Sequence, residues 1–324
     1  MRFAIIMNMK TQSFLFALAL AASAAFAQDA SWLPAKSTGA VVIDVKALRA
    51  NPMLSKLVDK APVPALPAAG GADILKTMRQ SVDKVLCAML PGDKAEDAHG
   101  VAFASGSFDS AALVAALKAD PSCKVSTLEG DTVYATTVQK PGGGSSTSYT
   151  TFPAKGLAVS ADSTDALLAA LKTMRKKSPA LAGDSMIARA VANSASKGYP
   201  FALVADTSAQ AKGGETLPMV GTALPAFFAF SLQNKDAANL LATLTGAFAS
   251  EEEAAQAAQA LNGMKMMFAM QAGAKPEMAD LAGLIGKIAI KNSGKNAVAS
   301  LLLDEAAAAA LSKLAEGGMI KAGK

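Results

Sequence analysis

"GVAFASGSFDSAALVAALKADPSCKVSTLEGDTVYATTV", residues 100–138, changes its hydrophobic period twice. Residues 100–107 are a short apolar run that suits a strand. Residues 108–120 repeat their apolar positions at helical spacing after Ser107 and Asp109. Residues 124–130 and 131–138 are rich in β-branched side chains and meet at Glu129-Gly130-Asp131, which predicts a hairpin. A strand, a helix and a hairpin within forty residues point to an α+β protein rather than a bundle or an all-β barrel.

The same alternation extends outward. "TGAVVIDV" (38–45) predicts a strand and Lys46–Val58 a helix; the Pro/Gly-rich stretch 61–72 is a loop no helix crosses, and Ala72–Met89 a helix carrying Cys87. Downstream, 141–148 is a flexible connector, 149–161 holds two strands and Ser163–Lys176 is a helix. A second cycle has strands at 201–207, 225–233 and 239–250, a long helix at Ser250–Gly273, a hairpin at 286–303 and a helix at 304–316. The expected architecture is two related α+β subdomains, 28–180 and 181–324, with a boundary near 178–199. Each has an antiparallel sheet with alanine-rich amphipathic helices on one face.

The first 27 residues read as a secretory signal peptide: Arg2 and Lys10, an apolar run from Phe14 to Ala22, and Ala25-Phe26-Ala27 before the expected cut. That implies an exported protein, periplasmic or extracellular. Net charge is +5 for the whole chain; removing the leader's two cations leaves 5 − 2 = +3. Aromatic residues are 5% and the one tight basic group, Lys172, Arg175, Lys176 and Lys177, falls at a helix end, where cations suit the macrodipole. This pattern argues against a nucleic-acid partner. Cys87 and Cys123 are the only cysteines, 36 positions apart, and in an oxidising compartment they are expected to form a structural disulfide rather than a redox motif.

"LPAKSTGAVVIDVKALRANPMLSKL" (33–57), "LAVSADSTDALLAALK" (157–172) and "GAFASEEEAAQAAQALNGM" (246–264), together with the hairpin at 124–138, resemble exported bacterial proteins grouped as a domain of unknown function. The resemblance covers most of the mature chain at the level of pattern. It implies export and carries over no catalytic or binding residue.

Chemistry is sparse. "NGMKMMFAMQAG" (262–273) sets Met264, Met267 and Met270 three residues apart on the long helix. At about 100° per residue Met264 shares the stripe of Ala254, Ala257, Ala258 and Leu261, while Met267 and Met270 rotate away from it and Met266 lies near Met270. A Cu(I) site needs thioethers converging on one point, and that rotating ladder favours apolar packing over a metal. "GDS" (183–185) lacks a downstream histidine base, since His99 is the only one. The S-x-x-K pairs Ser81–Lys84 and Ser194–Lys197 have no accompanying K-T-G. Glu251–Glu253 and Asp304-Glu305 read as helix-capping acids. No P-loop, dinucleotide fingerprint or zinc spacing occurs.

The expectation is a non-catalytic envelope protein that binds a protein, a lipid or another envelope component, with no cofactor. The alternatives are a secreted hydrolase whose acids meet only in the fold, and copper handling through methionines. Mass spectrometry of the protein from its native host should find Gln28, or its cyclised form, at the N-terminus. An abundant species beginning at Met1 would refute the leader.

Overall fold

The structure is a computed structural model and describes residues 30–52, 54–55, 81–92, 98–139, 144–217, 221–236, 239–274 and 278–316. The leader, the loop at 61–72 and most of the helix expected from Ala72 lie outside them.

Chain order begins with a single 3-10 turn at Ala30–Trp32 and strand β1, Gly39–Asp44. Helix α1, Val45–Ala50, follows at once because the Asp44 carboxylate accepts the Ala47 N–H at 2.8 Å. Strands β2 (Val82–Leu90) and β3 (His99–Gly106) precede helix α2 (Ser110–Ala119), which Asp109 caps. Then come β4 (Lys124–Leu128), β5 (Asp131–Gln139), β6 (Ser145–Ala154), β7 (Leu157–Ala161) and helix α3 (Thr164–Met174). The second half holds α4 (Met186–Lys197), β8 (Phe201–Asp206), α5 (Ser208–Lys212), β9 (Phe227–Asn234) and β10 (Leu240–Ala247). It closes with α6 (Glu251–Gly273), α7 (Ala279–Lys287), β11 (Ala289–Ser293), β12 (Asn296–Leu303) and α8 (Glu305–Glu316).

The described strands form one antiparallel sheet in the order β11-β12-β10-β9-β8-β1-β2-β3-β7-β6-β5-β4. The fold class is therefore α+β. The two halves of the chain meet where β1 pairs with β8, Val41 opposite Leu203. The first half is a three-stranded meander, β1 to β3, followed by a crossover and a four-stranded meander, β4 to β7; the second is a three-stranded meander, β8 to β10, followed by a crossover and the β11–β12 hairpin. In the first half the return places β7 beside β3; in the second it places β12 beside β10.

Side chains alternate across the pleat, so the sheet has two cores. Val42, Phe103 and Val159 meet Leu167 and Leu171 of α3 and Val191 of α4 on one face. Val41, Val85, Cys87 and Ala104 meet Phe108 and Leu113, with Leu48 of α1 packed against them, on the other. Carried through the strand registers, that second face also receives α6, whose Ala254, Ala257 and Ala258 pack with Ala297 of β12. Helices cover both faces, which corrects the expectation of one. The reason is visible in β1: five of its six residues are buried, on both sides of the pleat.

Three further readings change. Residues 82–90 are strand β2 and not the end of a helix. A continuous apolar run fits either, and a slot between β1 and β3 decides it. Residues 145–148, expected in a connector, begin β6. Residues 178–199, where the two subdomains are expected to divide, hold the helix α4, capped by Ser185 and ended by Gly198 at φ +62°. The disulfide is also absent: Cys87 and Cys123 are both free. Cys87 lies on β2, and Cys123 stands just before β4, five strands away in the sheet. At about 4.8 Å per strand that is about 24 Å, against the ~6 Å a bridge spans.

Asp304 caps α8 by accepting the Ala307 N–H at 2.7 Å and also accepts from Lys287 Nζ at 3.0 Å. Those bonds hold its carboxyl below the ordinary value, so its contribution is present above the unfolded pKa and fades as pH falls through the folded one. Leu167 has no exposed surface, and Leu167→Ala should cost about 2–5 kcal/mol in urea unfolding. A loss below about 1 kcal/mol would contradict the central place given to α3.

Candidate functional site

Helix α6 is built to present its far half. Ser250 Oγ accepts the Glu253 N–H at 3.1 Å, and Glu253 Oε2 accepts the Ala249 N–H at 3.2 Å, a reciprocal cap that fixes where the helix starts. Its buried residues are Ala254, Ala257, Ala258 and Ala272, small side chains that let the helix lie close to its support. Two polar bonds then lock its rotation. Asn262 Nδ2 donates to the Ile290 carbonyl at 3.3 Å and Lys265 Nζ to the Ile288 carbonyl at 2.9 Å. Those carbonyls border or belong to β11, so Asn262 and Lys265 are held against the protein.

Along the exposed side of the helix Met266 is 63% exposed, Met267 44% and Met270 74%. Met264 is half-buried and stays toward the protein. The sequence reading followed Met264, Met267 and Met270 at constant spacing. The structure instead groups Met266 with Met267 and Met270, at positions i, i+1 and i+4. The signal that points to Met266 is angular: it lies opposite Leu261 on the helix wheel.

The other sequence candidates are occupied with structural work. Ser185 of the "GDS" triplet caps α4, accepting the Ala188 N–H at 3.1 Å. Ser194 is 1% exposed and its S-x-x-K partner Lys197 sits over the Tyr199 ring, 6.0 Å from the centroid. Lys84 pairs with Asp44 at 3.8 Å. His99 Nδ1 lies 3.0 Å from Asp162 Oδ1, while Asp162 Oδ2 accepts the Gly100 N–H at 3.1 Å. This is an oriented histidine, yet among the described residues no serine or cysteine hydrogen-bonds to it. Nor is there, among those residues, a group of three or more His, Cys, Asp or Glu side chains placed to hold a metal.

Three of the four cations of the basic group are likewise paired within the chain. Lys172 and Lys177 each lie 3.6 Å from a carboxylate oxygen of Glu129, and Arg175 pairs with Asp131. The helix end of α3 is thereby bolted to the β4–β5 turn. A shallow cleft of about 510 Å³ beside it, lined by Trp32, Lys176, Lys177 and Ser178 among others, shares the paired Lys177. Among the described residues no helix is long and apolar enough to cross a membrane.

No family model and no curated protein matches the chain. Among solved structures it is similar to the treponemal protein TP0453 in its crystal form I, at 12% identity and a TM-score of 0.48, over 90% of this chain and 98% of that one. No residue of α6 carries over from it.

Burial pushes the Cys87 thiol up to about 12, and burial followed by the Asp120 charge raises Cys123 as well. A chromogenic disulfide reagent should therefore modify Cys123 slowly in the folded protein and Cys87 only after unfolding. Unfolded, unreduced protein should release two thiols; finding none would restore the disulfide.

Proposed function

We propose that the mature chain is an exported, non-catalytic binding scaffold of the bacterial cell envelope, and that the exposed side of α6 is its contact surface. The observation that carries this is the exposure of Met266, Met267 and Met270 on a helix whose rotation is fixed by Asn262 and Lys265. Three large apolar side chains side by side in solvent forgo burial that each would otherwise gain, and a clustered group of that kind marks a place of contact. The reading is supported from the other side by the employment of Ser185, Lys84 and Lys197 in caps and intramolecular pairs. Export rests on the leader's charge, apolar run and small-residue cut.

Oxidative footprinting tests the surface without knowing the ligand. In the purified mature protein Met266, Met267 and Met270 should convert to sulfoxides faster than half-buried Met264. In intact envelope fractions they should be protected relative to exposed Met186. Equal oxidation of the three in both preparations would sink the assignment.

A further inference from the structure

Two turns meet at the end of α3, and both carry backbone strain. Among the described residues Glu129 and Lys176 are the non-glycine positions of positive φ, at +52° and +56°. Glu129 stands in the β4–β5 turn and holds Lys172 and Lys177, which accounts for a side chain there. Lys176 follows the C-cap of α3, where the Lys177 and Ser178 N–H groups both donate to the Lys172 carbonyl, at 2.8 and 3.3 Å. Helices commonly close such a turn with glycine, and α4 does so with Gly198 at φ +62°. A lysine in the left-handed region costs strain that glycine avoids. The side chain at 176 is therefore kept for something other than the turn.

That something is not an intramolecular pair. Lys172 and Lys177 lie against Glu129 and Arg175 against Asp131. The four cations share two carboxylates, and Lys176 makes no ion pair among the described residues. Nor is it the macrodipole, which Lys172 and Arg175 already meet. Lys176 instead lines the cleft of about 510 Å³, together with Trp32, Met174, Ser178, Pro179 and Ala180. Trp32 and Met174 are half-buried, and the indole packs against Phe103 with ring centroids 5.7 Å apart, so the core fixes its position. A cleft of this volume suits a small molecule. Its contents are a held aromatic ring, an apolar lining, a hydroxyl and one ammonium whose charge nothing neutralises. An anion carried on an apolar ring matches each of them.

We propose that this cleft, on the face of the sheet opposite α6, binds a small aromatic anion, with Lys176 taking its phosphate or carboxylate and Trp32 its ring. The site is separate from the α6 surface and does not depend on it.

Trp32 is the only tryptophan of the chain, so its fluorescence reads the cleft directly. At low salt, phenyl phosphate or benzoate titrated into the mature protein should give a saturable change, with benzyl alcohol and benzylamine about fivefold weaker or more. Saturation by one anion alone or by both supports the site and tells phosphate from carboxylate. Lys176→Gly should weaken the anion about fivefold or more and keep or raise the melting temperature, because it removes charge and strain together. Lys176→Gln leaves the strain and should weaken the anion equally. Lys291→Gln, on β11 at the far edge of the sheet, should change nothing. Benzyl alcohol binding as tightly as the anions, no saturable change with either anion, or wild-type affinity in both Lys176 variants would overturn the site. A lower melting temperature for Lys176→Gly would show that the lysine serves the turn, and would overturn it too.

Discussion

Without each other the two half-sheets would leave β1 and β8 as open edges, and the backbone pairing of β1 with β8 is what joins them into one sheet. Its register runs from Gly39 opposite Ala205 to Ile43 opposite Phe201. Once joined, β1 is interior on both edges and both faces, which is why it reads GAVVID with no polar side chain before Asp44. Gly39 is part of the same constraint. A Cβ there would stand 1.9 Å from the end of the Met89 side chain and 2.8 Å from the Val204 carbonyl, so the close approach of neighbouring strands at that corner demands glycine.

From that joint the distribution of helices follows. A sheet apolar on both sides needs cover on both, and the chain supplies α3 and α4 to one face and α1, α2 and α6 to the other. Cover thins along β10, β12 and β11, where Leu244 and Leu302, on opposite faces, are 43% and 46% exposed. The half of the protein that carries the methionines is thus also the half whose sheet is least enclosed.

Local chemistry was legible in the sequence and long-range chemistry was not. The Ser250–Glu253 cap, the turn at Glu129-Gly130, the apolar run of β3 and the alternation of β8 each depend on neighbours a few residues away, and each could be read. The strand β2 could not, because an apolar run such as Val85–Leu90 suits a helix and a buried strand equally until its partners are known. The helix α4 carries its own local signals, Ser185 before it and Gly198 after it. The free thiols have a similar cause: the compartment argued for a bridge, while the strand order that separates Cys87 from Cys123 appears only in three dimensions. For the candidate site, periodic spacing drew attention to Met264, whereas exposure depends on which stripe Asn262 and Lys265 turn inward.

Those two polar bonds explain how a helix whose far half is largely apolar keeps one orientation. Hydrophobic burial alone is non-directional, and from residue 261 onward α6 offers Leu261, Met264, Phe268 and three further methionines as rival inner faces. Burying Met266 and Met270 instead would cost the Lys265 ammonium its Ile288 carbonyl and swing it into an apolar contact, a change that leaves a charge without a partner. It would also strip Asn262 from the Ile290 carbonyl. A charge-assisted bond is worth about 1.5–3 kcal/mol and an ordinary one about 1, comparable to what a half-buried methionine gains by turning inward. Rotation is therefore decided by Asn262 and Lys265, and the thioethers are held in solvent by the polar side chains between them.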